Sequence, residues 1–246
     1  VGLVVAPGGA CRPGGGPRSA GCSDNILGRN DDSSTGVVDL PFELNFYGEG
    51  YGQAFVNNNG NITFDEQLGT YTPFGLVATM RPIIAPFFAD VDTRGGAGVV
   101  TYGTTTYSGR TAFCVVWPEV GYYPNAVDKL NTFQLLLVDR SDRGDADFDI
   151  VFNYDQVEWE TGSASGGNGG LGGSSAHAGF SSGSGTADTS YSFAGPGSTA
   201  PSSTRRPQGW PTAAAGRPCP VATSSPSPTA HRTIWRAQPR SSTASG

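Results

Sequence analysis

Nowhere in this chain do apolar residues recur at helical spacing for a dozen residues. From Val37 onward the pattern is instead one of short apolar or alternating runs, set apart by Gly, Asn and Pro. The runs are "VVDLPFELNFYG", "QAFVNNNGNITF", "PIIAPFFADVD", "GVVTYG", "TAFCVVW", "NTFQLLLVD" and "DFDIVFNYDQVEW". Aromatic and β-branched residues dominate each, as suits a pleated, half-buried surface. The pattern predicts an all-β fold, an antiparallel β-sandwich with Gly/Asn-rich turns and little helix, at most a turn or two near "TPFGLVATM". In "QAFVNNNGNITF" the residues Asn58, Asn59 and Gly60 tolerate positive φ, so a tight hairpin is expected there, with Phe55 and Ile62 or Phe64 on one core face. "PIIAPFF" is apolar on both faces and predicts a buried strand, with Pro82 and Pro86 limiting its ladder partners.

The chain has 246 residues with 13 Phe, 9 Tyr and 4 Trp, enough for a substantial core. Charge is unevenly spread. Residues 1–198 hold all 21 acids and nine of the 15 basic residues, whereas residues 199–246 hold six Arg, no acid and much Ser and Pro. The composition divides the chain into a Gly/Pro-rich segment (1–26), a strand-patterned domain (27–198) and a basic tail (199–246) expected to be disordered. An acidic body argues against nucleic acid, whose phosphates need clustered Lys and Arg. No apolar run approaches the roughly 18 residues that signal a membrane span, so no membrane insertion is expected. "VGLVVAPGGA" lacks the basic start and the apolar length of a signal peptide, so the export signal is expected to be missing from this chain. Met and Lys occur once each, a bias that suggests a GC-rich bacterial genome. Of the four Cys, Cys11 and Cys22 flank a Gly/Pro-rich loop and are expected to close it as a disulfide if the chain is exported, while Cys114 reads as a buried thiol.

Catalytic chemistry has few candidates. His177 is the single His of the body, and no nucleophile elbow lies near it. Glu158 and Glu160 share a strand face, as ordinary solvent-facing acids also do. Calcium is the better metal candidate: Asp90 and Asp92 in "FADVDTR" sit at a strand end, with Asp31, Asp32 and Asp139 as partners from other loops, although turn-capping acids explain the same residues. Arg143-Gly144-Asp145 reads as a chance match to the integrin tripeptide in a polar hairpin loop. The Gly/Ser stretch 161–176 lacks the Lys-Ser or Lys-Thr ending of a phosphate loop and is expected to be a connection without ligand.

The segments "LGRNDDSS", "LPFELNFYG", "FVNNNGNITF", "IIAPFFADVDTR", "GYY", "DKLNTFQLLLVDRSD", "FDIVFNYDQVEWETG" and "SASGGNGGLGGSSA" with "AGFSSGSG", in this order from Leu27 to Ser198, resemble the nidogen-like extracellular (NIDO) domain family, in a bacterial form. The resemblance implies a non-catalytic extracellular or cell-surface module of cell–matrix adhesion, binding a protein or glycan and carrying no cofactor. In "WETG", Trp159 is expected to pack on the core and Glu160 to face water. The alternative is a carbohydrate-binding module or remnant glycoside hydrolase, for which Trp117, Tyr122 and Tyr123 would form a sugar-stacking platform. The family closes on "GAFLD" and "GRYVF" strands that are not visible here. Residues 199–225, reread in another frame of GC-rich codons, yield both in order, so the tail is expected to be a frameshifted version of those strands.

Overall fold

The computed structural model of the protein describes residues 2–7, 21–193 and 234–236. Its strands are β1 (Gly2–Pro7), β2 (Asn25–Ile26), β3 (Val38–Phe46), β4 (Glu49–Asn57), β5 (Asn61–Thr63), β6 (Pro82–Phe88) and β7 (Val91–Asp92). These are followed by β8 (Thr101–Tyr107), β9 (Arg110–Tyr122), β10 (Ala126–Asp139), β11 (Phe148–Gln156), β12 (His177–Ser182), β13 (Ser190–Ser192) and β14 (Ile234–Arg236). Helix among the described residues is confined to 3-10 turns at Ser163–Ser165 and Ala187–Thr189; the 72–80 stretch, expected to hold a helical turn, is irregular.

One sheet runs β14-β1-β11-β10-β9-β8-β2 with β7 also on β9, and the other runs β13-β12-β6-β5-β4-β3. All pairs are antiparallel except β1, which lies parallel to β11. The strand at 2–7 was not anticipated from its Gly/Pro-rich setting. The tail expected to be disordered contributes the triplet Ile234–Arg236, which pairs with β1; the rest of it, with the proposed rereading of 199–225, lies outside the described residues.

Alternation along the long strands builds the core. Phe113, Val115 and Trp117 of β9, Phe133, Leu135 and Leu137 of β10, and Phe148, Ile150 and Phe152 of β11 face Phe46, Val56, Ile62, Ile84 and Phe180 of the other sheet. Each fully buried Phe or Leu side chain contributes about 1.5–3 kcal/mol. Both outer faces are also partly covered. Leu68, Leu76 and Phe74, on the 65–81 connection, pack against Ile83, Ala85 and Phe88. That cover is why β6 is buried along its whole length, as its sequence predicts. Its ladder to β12 shifts register next to Pro86, which has no N–H to donate.

Two local expectations change. In the β4–β5 hairpin Val56, not Phe55, pairs with Ile62 and faces the core, because Phe55 pairs with Thr63 on the opposite face. Only Gly60 of the turn takes positive φ, +74°, and a Cβ there would collide with the carbonyl oxygen of Phe87. The disulfide joins Cys22 to Cys114, 92 residues apart, rather than to Cys11, and Cys114 is therefore not a free thiol. Cys114 lies on the outer face of β9 opposite Gly103 of β8. Gly21 and Gly103 approach so closely that a Cβ on either would meet the other segment's backbone. This glycine contact lays residue 22 over β9. Cys11 lies outside the described residues.

Candidate metal centre

The turn after β4, the 28–35 segment and the β6–β7 corner are tied together by the three consecutive asparagines, each at most 1 % exposed. Asn57 donates to Asn61 Oδ1 and Thr63 Oγ1 and accepts from Ser34 Oγ and Leu68 N. Asn58 donates through Nδ2 to the main-chain oxygens of Asp31 and Val91, both at 2.6 Å, and its main-chain carbonyl accepts the Trp117 indole N–H at 3.0 Å. Asn59 donates to Asp32 Oδ1 at 2.8 Å and accepts the Val91 N–H. The Asn57 and Asn59 amides, bonded through both nitrogen and oxygen, and the Asn58 amide, bonded through Nδ2, act as fixed spacers between backbones.

Three carboxylates gather against these spacers. One oxygen each from Asp31, Asp32 and Asp90 lies within 4.8 Å of the others. Asp90 is 1 % exposed, and among the described residues its Oδ2 has no hydrogen-bond partner, nor do the buried Oδ1 atoms of Asp31 and Asn58. The Asp90 carboxylate also presses on Gly162, where a Cβ would collide with it. Burial first, then Asp31, Asp32 and Asp92, push the Asp90 carboxyl up to about 7 against the pull of Arg94. Burial, Asp92 and Asp32 raise Asp31 to about 6, again against Arg94.

Asp92, read beside Asp90 as a calcium candidate, is spent differently. Its Oδ1 accepts from Arg94 Nε at 2.9 Å and from the Arg94 N–H at 3.0 Å. Its Oδ2 accepts from Arg94 Nη2 at 2.7 Å and the Asn125 N–H at 2.8 Å. Burial is the largest single influence and would raise its carboxyl, but these donors together outweigh burial and hold it low. Arg94 also reaches Asp31 Oδ2 at 2.8 Å and lies 5.9 Å from the Tyr123 ring centre. Asp139 is not part of the group: it caps the turn at the opposite end of β10 through Ser141.

The profile of the nidogen-like domain matches residues 52–216. The chain belongs to the nidogen-like domain family. Alpha-tectorin of Mus musculus is 36 % identical over 204 residues, 73 % of this chain and 9 % of that protein, and the Homo sapiens protein matches with the same identity and shares. Nidogen of Drosophila melanogaster is 31 % identical over 132 residues, 44 % of this chain and 10 % of that one. The nidogen-like chain thus spans about a tenth of the length of these relatives. No solved structure matches it.

The remaining candidates of the nidogen-like domain are dispersed. His177 is half-buried at the start of β12, opposite Phe88, and burial pulls its imidazole below the usual value. Glu158 Oε2 accepts the Leu130 N–H and Glu160 Oε1 accepts the Gly172 N–H, so both acids hold main chain; Glu160 is half-buried rather than facing water. Trp159 packs against Phe87 and Tyr122 in the core as expected. Arg143 of the Arg-Gly-Asp triplet is paired with Asp149 at 3.3 Å. The 161–176 stretch links β11 to β12, and five of its glycines take positive φ. Reasoning from sequence missed Arg94, the Asn57–Asn59 side chains and Asn131, which bonds the main chain of residues 158 and 159. The one available signal was three successive amides inside an apolar hairpin.

Proposed function

We propose that the chain is a non-catalytic extracellular interaction module of the cell–matrix adhesion type, part of a bacterial surface protein, which binds a protein or glycan through its loops or a sheet face. The observation that carries this over a sugar-binding or hydrolytic module is where the aromatic rings go. Trp117 is 0 % and Tyr122 5 % exposed, both inside the sandwich, and Tyr123 is half-buried near Arg94. A row of coplanar exposed rings, which sugar stacking requires, is not what these three residues make. The pairing of Glu158 and Glu160 with main-chain N–H groups supports the non-catalytic side of the reading. The Cys22–Cys114 bond supports export, since such bonds persist in oxidising compartments. None of the helices among the described residues is long and apolar enough to cross a membrane.

The test is an array of matrix proteins and glycans probed with the purified chain, with and without calcium. Saturable binding to a protein or glycan, unaltered in His177→Ala, is the expected result. Turnover of a glycoside or ester that disappears in His177→Ala would overturn it.

A further inference from the structure

We propose that Asp31, Asp32 and Asp90, joined by the side-chain oxygen of Asn58, whose amide nitrogen bonds the Asp31 main chain, form a calcium site that pins the 28–35 segment to the β6–β7 corner. This does not depend on the adhesion reading. Acidic clusters are common without an ion; what distinguishes this one is buried oxygen with nothing to bond. Asp90 Oδ2 and Asn58 Oδ1, each on a side chain 1 % exposed, and Asp31 Oδ1 all lack a partner among the described residues. A buried unpaired acceptor is costly, and in a region that also gathers three carboxylates it calls for a donor or a cation.

The geometry suits the ion. Oxygens bound to one calcium at roughly 2.3–2.6 Å lie at most about 5 Å apart, and the three carboxylates here fall within 4.8 Å of one another. Every donor is oxygen, with no imidazole or thiolate in the group, which selects a hard cation over zinc or copper. The ligands come from three chain segments whose positions are set by the asparagine bonds to Asp31, Asp32 and Val91. Arg94 already neutralises Asp31 Oδ2 and Asp92, so the charge left facing the site is that of Asp32, Asp90 and the free Asp31 oxygen. Those groups repel one another unless a cation sits between them. Asp92 is excluded as a ligand because each of its oxygens accepts two N–H bonds.

The experiment uses the full chain stripped with EDTA and dialysed. Calcium is titrated by calorimetry, and terbium is titrated by luminescence sensitised through Trp117, whose indole bonds Asn58. One saturable site is expected, with Kd on the order of 10⁻³ M or tighter, calcium displacing terbium and raising the melting temperature while magnesium does so less. Asp90→Asn should weaken calcium at least about tenfold, the loss of one charged ligand, yet melt no lower than wild type in EDTA, because it removes repulsion without changing shape. That second measurement separates a lost ligand from a lost fold. Gly162→Ala, which displaces the Asp90 carboxylate, should also weaken calcium, and Asp139→Asn should not. Identical melting in calcium and EDTA, or an Asp90→Asn protein that binds calcium like wild type, overturns the site.

Discussion

Reduction of the Cys22–Cys114 bond should cost this domain several kcal/mol, and the size follows from where the bond lies. The two residues are 92 apart, so the cross-link closes a loop of most of the sandwich. The chain-entropy relation assigns a loop of that length about 4.6 kcal/mol at 25 °C, and natural bonds of this kind typically deliver about 2–4. Both cysteines are at most 2 % exposed in an apolar cluster with Ala112, Val116, Leu136 and Val138. The reduced thiols therefore stay packed in the native state, and the effect falls on the unfolded chain. A Cys→Ala pair would add a cavity cost to the cross-link term, so the cleaner comparison is oxidised against reduced protein, with Cys11 and Cys219 replaced by Ser to prevent other pairings. In urea, a loss of about 3 kcal/mol at a slope of about 2 kcal/mol/M moves the midpoint down by about 1.5 M, with a steeper slope for the more expanded reduced chain. A midpoint shift below about 0.5 M, with the slope unchanged, would refute the long-loop argument. So would a peptide map of the unsubstituted chain linking Cys11 to Cys22.

Asn131→Ala should destabilise by about 2–5 kcal/mol, because it strands the N–H groups of Glu158 and Trp159 and the Trp159 carbonyl at a fully buried position; urea unfolding and a red shift of tryptophan emission would check it. Asp92→Ala should cost about 1–3 kcal/mol through the lost bonds to Arg94 and Asn125, by the same amount in calcium and in EDTA if its role is structural. His177 has a folded pKa below its unfolded value of 6.5. The unfolded state therefore takes up a proton first as pH falls through about 6.5, and the contribution of neutral His177, complete above that pH, is lost toward its lower folded value. Asp90 and Asp31, raised to about 7 and about 6, act in the opposite sense across the same range. The measurement is thus the difference in urea midpoint between wild type and His177→Gln from pH 7.5 to 5, expected to change as the pH drops and to stay constant if the imidazole does not titrate differently on folding.

What could be read in advance was whatever depends on near neighbours. The hairpin at residues 58–60 follows from Gly60, and the burial of "PIIAPFF" follows from its composition. The face assignment of Phe55 failed because the turn sets the register by one residue, and one residue exchanges the two faces. Phe55 and Val56 are equally apolar, so nothing in their composition ranked them. The Cys22–Cys114 bond was out of reach because it depends on Gly21 meeting Gly103, a contact between segments some 80 residues apart. Asp90 and Asp92 show the same limit at closer range. They are two apart with similar flanks, yet one is taken by Arg94 and Asn125 while the other faces Asp31 and Asp32. Which acid meets which partner is decided by how the 28–35 segment packs, and that packing is not encoded in "FADVD" itself.

The asparagine triplet explains why that packing is specific. A β-hairpin turn with apolar side chains would leave the main-chain oxygens of Asp31 and Val91 and the N–H groups of Leu68 and Val91 to find other partners in a region closed to water. Here Asn57 takes the Leu68 N–H, Asn58 takes both oxygens, and Asn59 Oδ1 takes the Val91 N–H. Each bond crosses between segments, so none forms fully unless its partner segment is in place. The turn, the 28–35 segment and the β6–β7 corner are consequently one cooperative unit. The unit also brings three carboxylates together and leaves buried oxygens unpaired, a repulsive arrangement that apolar packing alone would not select. A cation held by those oxygens offsets that repulsion and strengthens the same three-way junction.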